Sequence, residues 1–185
     1  AAYSDDIMRK VLMLLQSTNA PKTLKPHAIS LFSDVVLALK KDFHRYSESV
    51  MGMLANASST ELSQHDEDEE HDEFVWELRE KIIEVYAAIF IAFREDGVQD
   101  TILPHVQSIV SCCLAWCAHR DRTDDVLKHT VALLGDLVEA YGVKISQHLL
   151  HDNGVKRLIH DAQNSESDDL RQYAKWTSDV ISKAR

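Results

Sequence analysis

The sequence predicts an all-α protein, a right-handed α-solenoid of about four stacked helix pairs. Three observations point there. Apolar residues recur at three- and four-residue intervals along most of the chain, the period of a helix with one packed face. Five glycines and three prolines punctuate 185 residues, too few for a fold rich in tight turns. A helix–turn–helix block also occurs twice, displaced by 102 residues.

The first helix follows Ser4, with Ile7, Val11, Leu14 and Leu15 on one face, and Asn19-Ala20-Pro21 interrupts it. A second begins near Pro26, where a missing backbone donor is tolerated in the first turn; Ile29, Phe32, Val36 and Leu39 form its packed stripe. Phe43, Tyr46, Val50, Met53 and Leu54 mark a third. A long acidic turn follows, HDEDEEHDEF from residue 65, divided at about Asp72 between a mobile loop and a structured helix. Phe74, Leu78, Ile82, Val85, Ile89 and Phe93 then run through a long helix that Asp96-Gly97 ends. Further helices are expected at residues 102–117, 124–141, 144–150, 153–163 and 168–183.

The repeated blocks are KPHAISLFSDVVLALKKDF from Lys25 and LKHTVALLGDLVEAYGVKI from Leu127. They match His27 with His129, Leu31 with Leu133, Asp34 with Asp136, Ala38 with Ala140 and Phe43 with Ile145. One amphipathic pair cannot bury its own apolar surface, whereas stacked pairs make a continuous core. About four pairs over this length give the roughly 40-residue period of HEAT or armadillo repeats. An irregular helical bundle is the competing architecture. No change of composition divides the chain, so residues 1–185 read as one HEAT-repeat solenoid fragment.

The 45% apolar content argues against global disorder. Twenty basic against thirty acidic residues leave a net charge of −10, which repels nucleic-acid phosphates and anionic membranes and favours basic protein partners. No run of 18 apolar residues suggests membrane insertion. Cys112, Cys113 and Cys117 are the three cysteines, a poor disulfide framework that reads as reduced thiols of an intracellular protein. The opening AAYSDD lacks a signal-peptide pattern and an initiator methionine, which suits a fragment of something larger.

LKPHAISLFSDVVLALKKDFHRY from Leu24, WELREKIIEVYAAI from Trp76, TDDVLKHTVALLGDLVEAYG from Thr123 and AKWTSDVI from Ala174 occur in that order. Together they resemble the C-terminal HEAT repeats of the importin beta (karyopherin beta) family over nearly the whole chain. The resemblance implies a non-enzymatic nuclear import receptor that shuttles between cytoplasm and nucleus without a cofactor. Its implied partners are the basic N-terminal segment of importin alpha, basic cargo proteins and phenylalanine-glycine nucleoporins. Ran-GTP would act mainly through repeats this chain lacks. In such receptors the second helix of each repeat lines the concave face, and the C-terminal repeats hold much of the basic importin alpha helix.

The candidate partner-binding residues form three sets. On the long helix, Glu73, Glu77, Glu80 and Glu84 make an acidic stripe beside Trp76, either a solvated face with a partly packed tryptophan or a surface for arginine and lysine stems. On the last helix, Asp169, Gln172, Trp176 and Asp179 lie opposite the apolar Leu170, Ala174, Thr177 and Ile181. A tryptophan on a polar face invites cover by another chain, although ordinary packing competes. The resemblance implies that Trp176 grips the basic helix. The third set is Asp121, Asp124, Asp125 and Glu139. Asp124 and Asp125 follow Thr123 in a first helical turn, where capping and dipole complementation compete with a groove-facing role. Asp34 and Asp136 recur in the repeat and read as structural braces.

Chemistry of the catalytic kind has little support. His65, His71 and the surrounding acids lack HExxH or EF-hand geometry, so flexible carboxylates bind cations weakly at most. The CCxxxC pattern is neither a CxxC redox motif nor a complete zinc site, and buried free thiols are the better reading. No GxSxG context or phosphate loop appears. Two alternatives stand beside the receptor: a HEAT or armadillo scaffold of another assembly, such as a phosphatase or trafficking complex, and a helical enzyme with a noncontiguous site.

Overall fold

In a computed structural model describing residues 2–17, 19–63 and 68–184, the helices follow the apolar periodicity closely. α1 spans Ala2–Gln16, α2 Leu24–Leu39, α3 His44–Ser58, α4 Glu69–Glu95, α5 Leu103–Cys117, α6 Asp124–Tyr141, α7 Val143–His151, α8 Asn153–Gln163 and α9 Asp168–Lys183. Short 3₁₀ turns, Lys40–Phe43 and Gln99–Thr101, precede α3 and α5. The described residues contain no strand. The fold is all-α, with antiparallel helix pairs in the manner of about four HEAT repeats. The chain divides into two compact units, Ala1–Ala92 and Phe93–Arg185, with the division inside α4.

In the first unit, α1 packs on α2, and Ile29, Phe32, Val36, Phe43, Val50 and Leu54 are buried. The head of α3 is tied to α1 by polar contacts. Arg45 lies 3.2 Å from Asp5 and donates to Ser4 Oγ at 3.1 Å, while the Tyr46 hydroxyl donates to Asp5.

From Asp68 onward the acidic stretch enters a helix earlier than its composition suggests. α4 begins at Glu69, ahead of the expected division at Asp72, because Asp68 accepts a hydrogen bond from the His71 amide at 3.0 Å. Glu69, Glu70 and Asp72 complement the positive end of the helix dipole. Asp72 accepts from the Ser63 amide and hydroxyl at 2.7 and 3.0 Å, and His71 Nε2 meets the Glu61 carbonyl at 3.0 Å. His71 is therefore engaged in structure. His65 lies outside the described residues.

α4 also carries more apolar surface than one stripe. Besides the expected face, Val75, Trp76, Ile83, Tyr86 and Phe90 are buried. The 3.6-residue period registered one face, but a helix packed nearly all round spends its apolar residues on two.

In the second unit α6 is central, touching α5, α7, α8 and α9. Thr123 caps it by accepting from the Val126 amide, and the Tyr141 hydroxyl at its other end donates to the Gln99 carbonyl at 2.6 Å. Asp152 caps α8 through the Gly154 and Val155 amides, and Ser167 caps α9 through Leu170.

The internal repeat extends to the backbone. α2 ends at Lys40 with φ 50°, ψ −127°, and α6 ends at Gly142 with φ 56°, ψ −134°. These positions match under the displacement of 102 residues. The Lys40 amide donates to the Val36 carbonyl and the Gly142 amide to Val138, again matched positions. Phe43 and Ile145 are buried beyond the two turns. Glycine suits this conformation; a lysine in it is strained. Lys40→Gly is expected to raise unfolding stability by roughly 1 kcal/mol, and Gly142→Ala to lower it by at least as much. Urea denaturation of the two variants checks this, and the opposite order would remove the strain argument.

Candidate functional site

The apolar stripe of α9 places the site. Leu170, Ala174, Thr177 and Ile181 are all buried, and α6 and α9 make the most extensive helix contact among the described residues. The buried Thr177 hydroxyl donates to the Val131 carbonyl at 2.8 Å. One position earlier, the six-membered ring of Trp176 lies against Gly135 of α6. A Cβ added to Gly135 would meet three of its ring carbons at 2.2, 2.5 and 2.9 Å. Gly135 is thus a seat for the indole, and this explains a glycine inside a helix, where it costs about 1 kcal/mol relative to alanine.

Trp176 is consequently half-buried, and it lines a surface groove with Asp169, Gln172 and Tyr173. Asp179 is exposed further along the same helix. The ring thus packs within the chain on one side and lines the groove on the other. Among the described residues, Asp169 and Asp179 have no ion-pair partner.

The acids of the α6 region differ in how far the chain itself satisfies them. Asp124 and Asp125 are exposed in the first turn, but Thr123 takes the capping role, leaving them to complement the dipole. Asp125 accepts from Lys128 at 2.6 Å, and Asp121 from Arg120 at 2.9 Å. Glu139 pairs with Arg94 at 2.5 Å. Beside that pair, burial pushes the Asp136 carboxyl up to about 6, with Arg94 pulling it down and Glu139 adding to the rise.

On α4 the acidic stripe coincides with the helix's more accessible strip. Glu73 is exposed, Glu77 lies 3.9 Å from His27 Nδ1, and Lys81 donates to Glu80 and Glu84 at 2.8 and 3.1 Å. Burial works to lower the Lys81 pKa, yet the hydrogen bonds to Glu80 and Glu84 raise it overall. Trp76 departs from the expectation of a ring open to a partner. It is only 7% exposed, and Arg79 of its own helix stands 4.5 Å over the ring centroid. Trp76 belongs with Val75, Ile83, Tyr86 and Phe90 to the buried positions outside the expected stripe. The three cysteines are free thiols. Cys113 and Cys117 are buried, Cys112 is half-buried, and burial raises the Cys117 thiol to about 11, far from a reactive thiolate.

Sequence reasoning missed Gly135 and Tyr173. A glycine in mid-helix is a signal of close approach, and Tyr173 stands one turn before Trp176.

A family model described as importin subunit beta-1-like, TPR repeats, matches residues 1–163. The chain belongs to the importin subunit beta-1-like family. The matched span ends before α9, so Trp176 lies beyond it. Importin subunit beta-1 of Arabidopsis thaliana is 29% identical over 184 residues, covering 98% of this chain and 21% of the relative. Importin subunit beta-1 of Schizosaccharomyces pombe is 29% identical over 180 residues, covering 97% and 21%. Among solved structures, importin beta crystallised from ammonium sulfate aligns with a TM-score of 0.90 at 21% identity, over 99% of this chain and 21% of that one. A Kap95:Nup1 complex aligns at 0.86 with 20% identity and the same coverage. These structural matches establish a shared fold, and the chain spans about a fifth of the length of its importin relatives.

Two outcomes follow for this importin-family surface. In Gly135→Ala, better helix propensity of about 1 kcal/mol opposes overpacking of roughly 1–3 kcal/mol. The ring should swing outward and red-shift tryptophan emission, a change assignable to Trp176 because Trp76 and Trp116 are buried. For Asp136, a folded pKa of about 6, above the ordinary 3.8, means the folded state holds the proton more tightly. Its stabilising contribution is complete below the unfolded pKa and is lost as pH rises through 6. Asp136→Asn should flatten that fall in stability, measured by denaturation at stepped pH.

Proposed function

We propose that this chain is part of a nuclear import receptor, and that its α6–α9 face binds a basic helical segment. The basic N-terminal segment of importin alpha is the foremost candidate, with basic cargo proteins as the alternative of the same chemistry. The observation that carries this reading is the seated Trp176 ring in a groove with Asp169 and Gln172. A ring fixed by its own chain loses little freedom when a partner covers it. The net charge of −10 supplies long-range attraction for a basic partner. Asp124, Asp169 and Asp179 have no ion-pair partner among the described residues, so they contribute charge without first losing an internal contact. Asp121, Asp125 and Glu139 would have to share theirs.

The α4 stripe of Glu73, Glu77 and Glu80 adds a second acidic patch, without Trp76 as its anchor. Recognition is reversible and involves no covalent step, and the receptor shuttles between cytoplasm and nucleus. Among the described residues no helix is long and apolar enough to cross a membrane. A nucleoporin contact is a second reading, prompted by the aligned complex of Kap95 with Nup1. Ran-GTP would act mainly through the remainder of the receptor.

Calorimetric titration with the basic importin alpha segment tests the main reading. Trp176→Ala is expected to weaken binding by about 2 kcal/mol, the loss typical of a central aromatic anchor. Charge reversal at Asp124 and Asp125 should weaken it further and reduce its salt dependence. Unchanged affinity in Trp176→Ala would refute the anchor.

A further inference from the structure

Tyr173 has no role in the surface as described so far. It is 43% exposed, an unusual position for a large aromatic side chain unless something covers it. It lines the same groove as Asp169, Gln172 and Trp176. These four residues stand at i, i+3, i+4 and i+7 on α9, so Asp169 and Trp176 each neighbour both Gln172 and Tyr173 across a helical turn. Two corners of this lozenge are aromatic, and the other two offer a carboxylate and an amide oxygen. Among the described residues none of the four side chains is taken up by a hydrogen bond or ion pair. One aromatic corner is immobilised on Gly135.

We infer that Tyr173 is a specificity residue and that the lozenge is a cradle for a single arginine side chain in preference to lysine. The inference rests on the reading of the α6–α9 face as a surface for basic partners, and it deepens that reading by naming the side chain selected. A guanidinium is planar and weakly hydrated, and it stacks on an aromatic face while its edge donates in the plane. Tyr173 and Trp176 supply the faces; Asp169 and Gln172 supply acceptors for the edge. An ammonium is a compact, strongly hydrated charge with no plane to stack. It can pair with Asp169, but it gains much less from a second ring.

The test uses the whole chain and two helical alanine-based peptides, identical except that the basic positions are all arginine in one and all lysine in the other. Calorimetry is expected to show the arginine peptide binding about tenfold more tightly, the worth of one stacked cation. Tyr173→Leu should bring the ratio close to one, chiefly by weakening the arginine peptide, and Tyr173→Phe should keep the preference. Circular dichroism verifies that each variant is helical. Equal binding of the two peptides to the unaltered chain, or an undiminished preference in Tyr173→Leu, overturns the cradle and leaves the basic-partner surface standing. Failure of the folded, unaltered chain to bind either peptide overturns both.

Discussion

The seam between α6 and α9 is the constraint on which the second unit and its candidate surface depend. α9 is held by two adjoining contacts, the Thr177 hydroxyl on the Val131 carbonyl and the Trp176 ring on Gly135. The first satisfies a buried polar group that would otherwise cost about 1–3 kcal/mol. The second fixes an indole without enclosing it. Together they set the rotation of α9, and that rotation presents Asp169, Gln172 and Tyr173 beside the ring. A helix anchored only by aliphatic packing would leave the direction of that polar face less tightly specified.

Charge and function are less directly linked than the total of −10 suggests. Much of the acid is already answered within the chain: Glu139 by Arg94, Glu80 and Glu84 by Lys81, and Asp125 by Lys128. Such exposed or half-exposed pairs contribute little stability, but they lower the charge available to a partner. Asp124, Asp169 and Asp179 retain theirs. The residues of greatest electrostatic interest are therefore fewer than the acidic composition implies.

The helices were legible because burial on one face imposes a period, and the duplicated block was legible because its apolar positions and Asp34/Asp136 recur in register. α9 was read especially well: Leu170, Ala174, Thr177 and Ile181 define a single packed side with no competing stripe. α4 was only half legible, since two apolar faces blur the period and hide Trp76 in the second. The start of α4 was obscured by composition, because an acidic run resembles a solvated loop until the Asp68 cap and the Asp72 bonds to Ser63 are seen. The seating of Trp176 could not be read from α9 alone. It depends on a missing side chain in another helix, and an absence leaves no periodic mark.

The matched turns at Lys40 and Gly142 carry one more consequence. A glycine enters this left-handed geometry without penalty, so the α6–α7 corner can close through local preference alone. A lysine resists it, and the α2–α3 corner must be held shut by what packs beyond it, with Phe43 in the core and Arg45 and Tyr46 fastened to α1. Two corners of the same shape thus have opposite dependencies. The geometry of one is set by its own residue, and that of the other by what packs against it.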